Sequence, residues 1–555
     1  METLVLIGML GAIALIMICY GTFHNKRQRA YRIKCIKESY GTPCRRKYVD
    51  GEYVHIPGYH YNHLQNVDFN IDDITWNDLD MDRIYHEMNR TLSSAGDEYL
   101  YHLLRSPRLH SDMRLEEVIT YFMDHPDERL KLSVALSDMG RTGKYSIYDY
   151  INNLDVLNGR DVRKEYLLLI LYVAAIAFMA ISGSPVGGVV LALVLIYAGI
   201  TYFSGKKKIE PYIVSFSYVF RLLSAAGQIR KCGNDGIKKE MDGLKEACDK
   251  MAGLGRFSGI VMSTPSSDPL QILMDYIKIF THIDIIRFYG MRKQIMDHSK
   301  DIDLMLTIIG FLDASIAIGS YREYLGTYCV PDLTGDKYEA TGLYHPLLSD
   351  PVANDVCLDR GMLLTGSNAS GKSTMLKTIA LSALLAQSVN TVPATSYKAP
   401  AYRIYTSLAV NDDIMQGDSY YMAEIKSLKL IVDEGKEEET PILACVDEVL
   451  RGTNTVERIS ASTVIMKQLS EVNGLILAAT HDIELTDLLA DCYDNYHFEE
   501  LIEGRDIRFN YKLMPGKATS KNAIRLLSLT GYDEELVREA SDMAKRYEET
   551  GVFSI

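Results

Sequence analysis

The sequence predicts two kinds of structure: an all-α region with three transmembrane helices, and after it an α/β domain built around a phosphate-binding loop. Three observations support this prediction. Long uncharged apolar stretches interrupt the first part of the chain. The segments between them repeat apolar residues at the three- and four-residue spacing of helices. From about Gly342, short β-rich runs alternate with glycine turns and helices, which is typical of an α/β domain.

Composition limits the classes of protein to consider. The 555 residues are too many for one hydrophobic core and enough for two or three domains. A net charge of −14 argues against a protein that coats nucleic acid through bulk positive charge, although a local basic surface is compatible with it. The nine cysteines are scattered, odd in number and without a C-x-x-C pair, which favours a reducing compartment over disulfides or a zinc site.

The first apolar stretch, residues 3–23, contains no charge and is long enough to cross a bilayer as a helix. A cleaved signal peptide is the alternative interpretation, and it would carry positive charge before the apolar run. Here the positive charges come afterwards, beginning at Lys26 and Arg27. This order predicts an uncleaved anchor whose N-terminus lies outside the cell.

Two further apolar stretches, 166–182 and 188–203, flank a glycine- and proline-containing turn and predict a transmembrane hairpin. Arg160, Arg163 and Lys164 precede the pair, Lys206 to Lys208 follow it, and the turn carries no charge. By the positive-inside rule both flanks are cytoplasmic, so the α/β domain is predicted to lie on the cytoplasmic side of the cell membrane. A buried helical hairpin in a soluble core is the alternative.

The remaining boundaries follow from changes in pattern. Residues 24–164 form a cytoplasmic region whose part from about 80 to 160 is helical, and 205–335 form a second helical region. Neither contains residues that indicate a particular chemistry, so a scaffold or lever role is the default interpretation. The α/β domain is predicted to cover 340–510, and residues 511–555 to form a helix–turn–helix pair.

The clearest chemical motif follows the predicted strand Met362–Thr365, where a G-x-x-x-x-G-K-S loop leads into a helix, the context that the motif requires. Its glycines let backbone N–H groups converge on phosphates at a helix N-terminus. We expect Lys372 to reach the β- and γ-phosphates of ATP and Ser373 to bind Mg²⁺. The candidate nucleotide-binding residues are Gly366, Ser367, Asn368, Ala369, Ser370, Gly371, Lys372, Ser373 and Thr374.

Two other predicted strands end in polar residues suited to the same site. The strand 441–446 leads into Asp447, a candidate Mg²⁺ ligand, and Glu448, a candidate general base for the attacking water. Asp447 follows Lys372 by 75 residues, which strengthens an otherwise common pattern. The strand 474–480 ends at His481, which could bond the γ-phosphate or hold the water. Core packing is the alternative for a lone histidine.

At these residues the sequence resembles the MutS family of mismatch-recognition ATPases. Residues 366–374 are similar to its phosphate loop, 447–455 to its D-E-x-x-R-G-T-S-T run, and 480–486 to its T-H-x-x-E-L-T run. Between these runs, Asp412-Asp413 and Ser419 to Glu424 resemble the family's D-D and S-T-F-M-x-E segments. Tyr344 to Leu348 and Val352 to Val356 are similar to the strand that enters the domain, and residues 92–107 resemble more weakly the start of the family's helical core.

The resemblance implies a fold and a mode of action. It implies an ATPase domain of the ABC/MutS type in which Ser419 is presented to ATP bound on the partner subunit, so that a homodimer forms two composite sites. It also implies that Tyr511 lies against adenine, although burial in the core is the alternative for this ring. Residues 521–549 resemble the helix–turn–helix through which the family dimerises.

The departures from the family concern DNA. No segment before residue 80 resembles its mismatch-reading or connector domain, and the membrane hairpin falls where the levers would reach a DNA clamp. We therefore expect a membrane-anchored dimeric ATPase, with DNA binding left open. The alternatives are an ABC-type membrane ATPase, which would need more spans and an LSGGQ-type helix, and a scaffold that uses ATP only to dimerise.

Overall fold

The computed structural model describes residues 2–145, 147–148, 163–182, 185–232, 235–251, 276–367, 370–408, 420–436, 439–450, 453–503, 506–518, 524, 527 and 531–550. The chain forms two compact units. The helical unit contains residues 1–65, 87–102 and 116–324, and the sheet unit contains residues 66–86, 103–115 and 325–555.

Helices account for the regular structure described before residue 326. They are α1 Glu2–Ser39, α2 Glu52–His55, α3 Gly58–His63, α4 Asp73–Asp78, α5 Met81–Met88, α6 Ser94–Arg105, α7 Met113–Asp124, α8 Pro126–Met139, α9 Arg163–Ser182, α10 Pro185–Ile229, α11 Lys238–Lys250, α12 Ile283–Asp297 and α13 Ser299–Leu325.

The core of the helical unit forms around α13, which is buried along most of its length. A methyl group on Gly310 would lie 2.6 Å from the carbonyl oxygen of Ala95, and one on Gly96 would lie 2.2 Å from the Asp313 carboxylate. Hydrogen at these two positions therefore lets the two helix backbones approach closely. Fully buried Arg322 forms a two-bonded ion pair with Glu116, with distances of 2.8 and 2.6 Å.

Asp313 joins this core to the start of α6. Its carboxylate accepts hydrogen bonds from the backbone N–H groups of Leu92 and Ser93 at 3.0 and 2.9 Å, and from the Ser93 hydroxyl at 2.6 Å. Burial outweighs these bonds and raises the pKa of Asp313 to about 6. The carboxyl group therefore belongs to the packing of the core.

The predicted membrane hairpin is a pair of packed helices, α9 and the first part of α10. Its apolar side chains face outwards, with Ile170, Val173 and Leu193 each more than 60% exposed. The second helix begins at Pro185, inside the predicted turn, because proline suits the first position of a helix. It continues without a break through the lysine triplet to Ile229.

The structure does not support three transmembrane helices. Within the described part of the chain, two helices are long and apolar enough to cross a membrane, Pro185–Lys207 and Ser299–Leu325. The second is 78% buried, as expected for a core helix, and Tyr166–Ile181 is a shorter apolar helix. Residues 3–23 lie within α1, which continues as one helix to Ser39.

The sheet unit contains a six-stranded and a three-stranded sheet. The larger has the order β5-β6-β7-β3-β8-β9, in which only β9 is antiparallel to its neighbour, and the smaller has the antiparallel order β2-β1-β4. The strands are β1 Tyr338–Leu343, β2 Asn354–Leu358, β3 Met362–Thr365, β4 Ser396–Lys398, β5 Arg403–Ser407, β6 Ile442–Asp447, β7 Gly474–Ala479, β8 Asp494–Glu503 and β9 Asp506–Pro515.

Helices alternate with these strands, as the α/β prediction expected. Apolar runs such as Met362–Leu364 and Ile442–Val446 are fully buried, which is characteristic of parallel strands covered on both faces. The helices are α14 Lys372–Val389, α15 Tyr420–Glu434, α16 Thr455–Leu469, α17 Glu484–Leu488 and α18 Glu534–Thr550.

The limits of this unit differ from the predicted boundaries 340–510. The predicted boundary at 511 falls inside β9, because that strand pairs with β8 as far as Pro515. Residues 66–86, assigned to the helical region from the sequence, also belong here. Buried Asp78 accepts hydrogen bonds from the Thr406 hydroxyl at 2.7 Å and the Leu408 N–H at 2.8 Å, at the end of β5. Of the predicted C-terminal helix pair, only α18 lies within the described residues.

Candidate functional site

The phosphate-binding loop connects the end of β3 to the start of α14. Gly366 and Gly371 have φ values of +150° and +103°, which favour glycine at both positions. Buried Ser370 carries a hydroxyl that has no hydrogen-bond partner within the described part of the chain. A buried hydroxyl without a partner is suited to a ligand that can accept a hydrogen bond from it.

Lys372 occupies the first position of α14 and is 6% exposed. Its ammonium group donates to the carbonyl oxygens of Gly366 and Ser367, each at 2.9 Å. These bonds hold a buried cation over the loop, beside a helix N-terminus that also favours an anion. The arrangement is suited to a phosphate group, because neutral carbonyls only partly offset the cost of burying the charge.

Ser373 and Asp447 form the adjoining oxygen pair. Asp447 is the last residue of β6, and its carboxylate accepts a hydrogen bond of 2.5 Å from the Ser373 hydroxyl. One hydroxyl and one carboxylate oxygen are hard ligands of the kind that Mg²⁺ uses together with phosphate oxygens and water. The residues predicted to bind the metal are therefore adjacent, and their chemistry fits the ion.

Glu448 and His481 meet on the other side of Lys372. The Nε2 atom of His481 lies 3.0 Å from a carboxylate oxygen of Glu448 and 3.4 Å from the Lys372 ammonium. A protonated Nε2 donates to Glu448, whereas an unprotonated one accepts from Lys372. The core-packing alternative for His481 does not apply, since its side chain is 37% exposed and lines the cavity described below.

Side chains behind the site fix these groups. Buried Glu424 on α15 accepts a hydrogen bond from the backbone N–H of Leu450 and so holds the loop that follows β6. Arg458 and Asp482 form a two-bonded ion pair at 2.8 and 2.6 Å, next to His481. Neighbouring side chains, as well as the strands themselves, therefore hold the segments that carry Glu448 and His481.

The loop after β6 stores backbone strain. Glu448 has a φ of +56° and Leu450 a φ of +60°, both in the left-handed region that side chains other than glycine, asparagine and aspartate rarely adopt. Such conformations cost of the order of 1–3 kcal/mol each and concentrate at functional sites. Glu448 has this conformation at the position where its carboxylate contacts His481.

A cavity of about 530 Å³ opens beside these residues, and the phosphate loop, Glu448 and His481 form part of its wall. Tyr511 is 44% exposed and also lines it, and its predicted position against adenine stays a prediction. The ring projects from an irregularity in the β8–β9 pairing, where Tyr511 has a φ of +51° and Asn354 bonds its carbonyl at 3.0 Å.

His345 is a lining residue that sequence reasoning did not identify as part of the site. Residues 344–348 resemble an entering strand in the sequence, but they form a loop along the cavity, and the strand begins only at Asn354. Burial, with help from the nearby Lys377 charge, lowers the pKa of His345 to about 4. Its imidazole is therefore neutral at physiological pH, and its Nδ1 accepts from the Leu347 N–H at 3.3 Å.

The remaining predicted site residues are placed as follows. Thr374 lines the cavity with its neighbours in α14. Ser419, Asn368 and Ala369 lie outside the described residues, so their predicted roles stay predictions.

Comparison with known proteins agrees with this geometry. Residues 362–548 match the family model of MutS domain V. The sheet unit therefore contains a domain of the MutS domain V type. Among the relatives, a DNA mismatch repair protein MutS 2 of Haloarcula marismortui is 29% identical over 297 residues, which are 48% of this chain and 31% of the relative.

Two proteins named DNA mismatch repair protein MutS give similar values. That of Pelotomaculum thermopropionicum is 34% identical over 40% of this chain and 27% of its own length, and that of Thermus aquaticus is 33% identical over 46% and 31%. The chain therefore spans about a third or less of the length of these relatives. The match supports a MutS-type α/β domain.

The strain at Glu448 gives a testable prediction. Asparagine tolerates the left-handed region better than glutamine, and both substitutions remove the carboxylate. We expect Glu448→Asn to unfold at a higher temperature than Glu448→Gln in the absence of nucleotide, by roughly 1 kcal/mol of stability. Differential scanning calorimetry of the two variants measures this difference. Equal midpoints would show that the backbone at residue 448 is relaxed.

Proposed function

We propose that this chain binds Mg-ATP at the cavity beside the phosphate loop and hydrolyses it. The proposal rests on one observation, that three groups lie together at one edge of the parallel sheet. They are Lys372, the Ser373–Asp447 pair and the Glu448–His481 pair. A buried cation, two hard oxygen ligands and a carboxylate beside an imidazole are the groups that phosphoryl transfer to water requires.

In the proposed reaction, the oxygen of a water molecule attacks the γ-phosphorus while the bond to the β-phosphate oxygen breaks, giving ADP and phosphate. Glu448 orients the water and accepts its proton, and His481 holds the Glu448 carboxylate through Nε2. Lys372 exchanges its two loop carbonyls for phosphate oxygens and stabilises their charge. Ser373 and Asp447 would hold Mg²⁺, which neutralises phosphate charge when bound.

The base of the nucleotide is proposed to lie towards Tyr511. This ring is within van der Waals reach of the loop, since a methyl group on Gly371 would lie 3.2 Å from its Cδ1 atom. Its partial exposure leaves a ring face for stacking against adenine. Neutral His345 lines the same cavity.

We propose further that the working form is a homodimer with two composite sites, each completed by Ser419 of the partner chain. The proposal rests on the resemblance of residues 419–424 to the family's segment and on the match that continues through residue 548. The relatives are named for DNA mismatch repair. The net charge of −14 argues against binding DNA by bulk charge, so a DNA partner would need a local basic surface.

The role of Glu448 gives a prediction for catalysis. Glu448→Gln keeps the size of the side chain and removes the base, so we expect the variant to bind ATP with unchanged affinity and to lose at least a hundredfold in steady-state turnover. Nucleotide binding and phosphate release are measured on the same preparation. Lys372→Ala is the matched control, which loses binding as well. Unchanged turnover in Glu448→Gln would contradict the proposed base.

A membrane location is proposed for the exposed hairpin. The outward apolar side chains of α9 and α10 form a surface that a soluble unit would not leave in water. The lysines that follow favour a cytoplasmic sheet unit, with residues 183–187 outside.

This location predicts a pattern of protease access. A cleavage site inserted at residues 183–187 should be cut from outside intact cells, whereas a matched site inserted at 47–51 should be cut only after permeabilisation. Immunoblotting of the fragments measures both. The reverse pattern, or protection of both sites together with a soluble chain after cell fractionation, would contradict the proposed topology.

A further inference from the structure

The helical unit contains a second cavity, of about 510 Å³, far from the phosphate loop in sequence. Its wall is formed by the C-terminal end of α1, the segment 40–46, the segment 89–92, α8, Arg141 and the α13 residues Ile316 and Ser320. This volume lies within the range of about 300–1,000 Å³ that is usual for small-molecule sites. The described residues that line it belong to the helical unit alone.

Positive charge dominates the lining of this cavity. Six cationic side chains face it, and Asp127 is the acidic residue among the lining residues described. The excess is unexpected in a chain whose net charge is −14. The six cations are Lys37, Arg45, Arg46, Arg90, Arg129 and Arg141.

Two of the six are neutralised by carboxylates behind the wall. Arg46 contacts Glu52 at 2.6 Å and Asp97 at 2.7 Å, and Arg141 contacts Asp97 at 3.0 Å. These charges lower the pKa of Asp97 against the opposing effect of its complete burial. This cluster is an internal ion-pair network and fixes one side of the cavity.

The other four have no carboxylate within 4 Å among the described residues. Arg90 and Arg129 are half-buried and donate to backbone carbonyls, Arg90 to Thr42 at 3.0 Å and Arg129 to Phe122 at 2.9 Å. Both also lie over aromatic rings, Arg90 4.8 Å from Tyr324 and Arg129 3.5 Å from Tyr40. Burial lowers the pKa of Arg90, and the guanidinium still carries its charge at neutral pH.

Lys37 and Arg45 lie at the rim and are exposed. They add two exposed charges to the two half-buried guanidinium groups of Arg90 and Arg129. An arrangement of fixed arginines with carbonyl and aromatic contacts, and cations at the entrance, is suited to phosphate oxygens, which accept two-pronged bonds from guanidinium groups. Ile36, Leu92 and Leu130 supply an apolar wall beside this charge.

From these contacts we propose that the cavity is a binding site for a small soluble molecule that carries phosphate groups and an apolar or planar part, such as a nucleotide. A lipid headgroup has the same phosphate chemistry. It fits less well, because Lys37 follows Phe23, the end of the apolar stretch, by about 21 Å along the continuous helix α1. The site is separate from the proposed hydrolysis of ATP and does not depend on it.

Equilibrium dialysis of the purified full-length chain with radiolabelled pyrophosphate and ATP tests this proposal. The Lys372→Ala chain is used, so that the phosphate loop does not contribute to the signal. The proposal predicts one remaining site per chain for at least one of the two probes, with affinity that falls steeply as salt rises.

Two charge-neutralising variants in the same background locate that binding. The double variant Lys37→Gln, Arg45→Gln should weaken this binding at least tenfold, because it removes both exposed positive charges from the cavity. It removes no buried contact. Lys47→Gln with Lys131→Gln removes the same charge from exposed positions of the helical unit that do not line the cavity, and should leave the affinity within twofold. Equal melting temperatures of the two variants show that both are folded.

Three results would overturn the proposal. The Lys372→Ala chain could bind neither probe. The two double variants could bind equally, which would place the binding elsewhere or ascribe it to net charge. Vesicles of phosphatidylserine and phosphatidylcholine could bind in a Lys37- and Arg45-dependent way while both soluble probes fail, which would assign the cavity to lipid.

Discussion

The parallel register of β6, β7 and β3 is the constraint on which the candidate site depends. Ala479 of β7 pairs with Asp447 of β6 on one side and with Leu364 of β3 on the other, so the three strands end level. The phosphate loop, Glu448 and His481 each begin no more than two residues after these paired residues. All three therefore lie at the same edge of the sheet. Because side chains alternate along a strand, a slip of one residue in either pairing would turn Asp447 away from Ser373. Residues more than 100 positions apart in the chain become neighbours through backbone hydrogen bonds alone.

The site is stabilised by contacts that do not themselves touch a nucleotide. Glu424 holds the strained loop after β6, and the Arg458–Asp482 ion pair holds the segment that carries His481. On α14, Lys377 forms a 3.0 Å ion pair with Asp80 from the upstream segment that packs on the sheet unit. The strain of Glu448 and the burial of Lys372 both cost stability. Such costs are expected where a protein keeps groups ready for charge that a ligand brings, and the surrounding packing offsets them.

The phosphate loop, Asp447, Glu448 and His481 could be predicted from the sequence because each follows a short apolar run, and parallel strands place their ends together. The support that Glu424 and residues 66–86 give to the site could not be predicted, since it depends on tertiary contacts between residues far apart in the sequence. His345 was missed because a buried polar loop and a strand leave similar patterns over five residues. Three transmembrane helices were predicted because an uncharged apolar stretch does not show where its helix begins and ends. Residues 3–23 are part of the longer helix α1, and Tyr166–Ile181 is a shorter apolar helix.

We propose that ATP is hydrolysed at sites completed by two chains, and mixing two inactive variants tests this proposal most directly. Lys372→Ala removes the phosphate contact of the site on the same chain. Ser419→Ala removes the serine that a chain presents to the site on its partner. A mixed dimer keeps one intact site, so random mixing should restore roughly a quarter of the wild-type ATPase rate, since half of the dimers are mixed and each has one of two sites. A rate equal to the average of the separate variants, with dimers confirmed by light scattering, would contradict the claim.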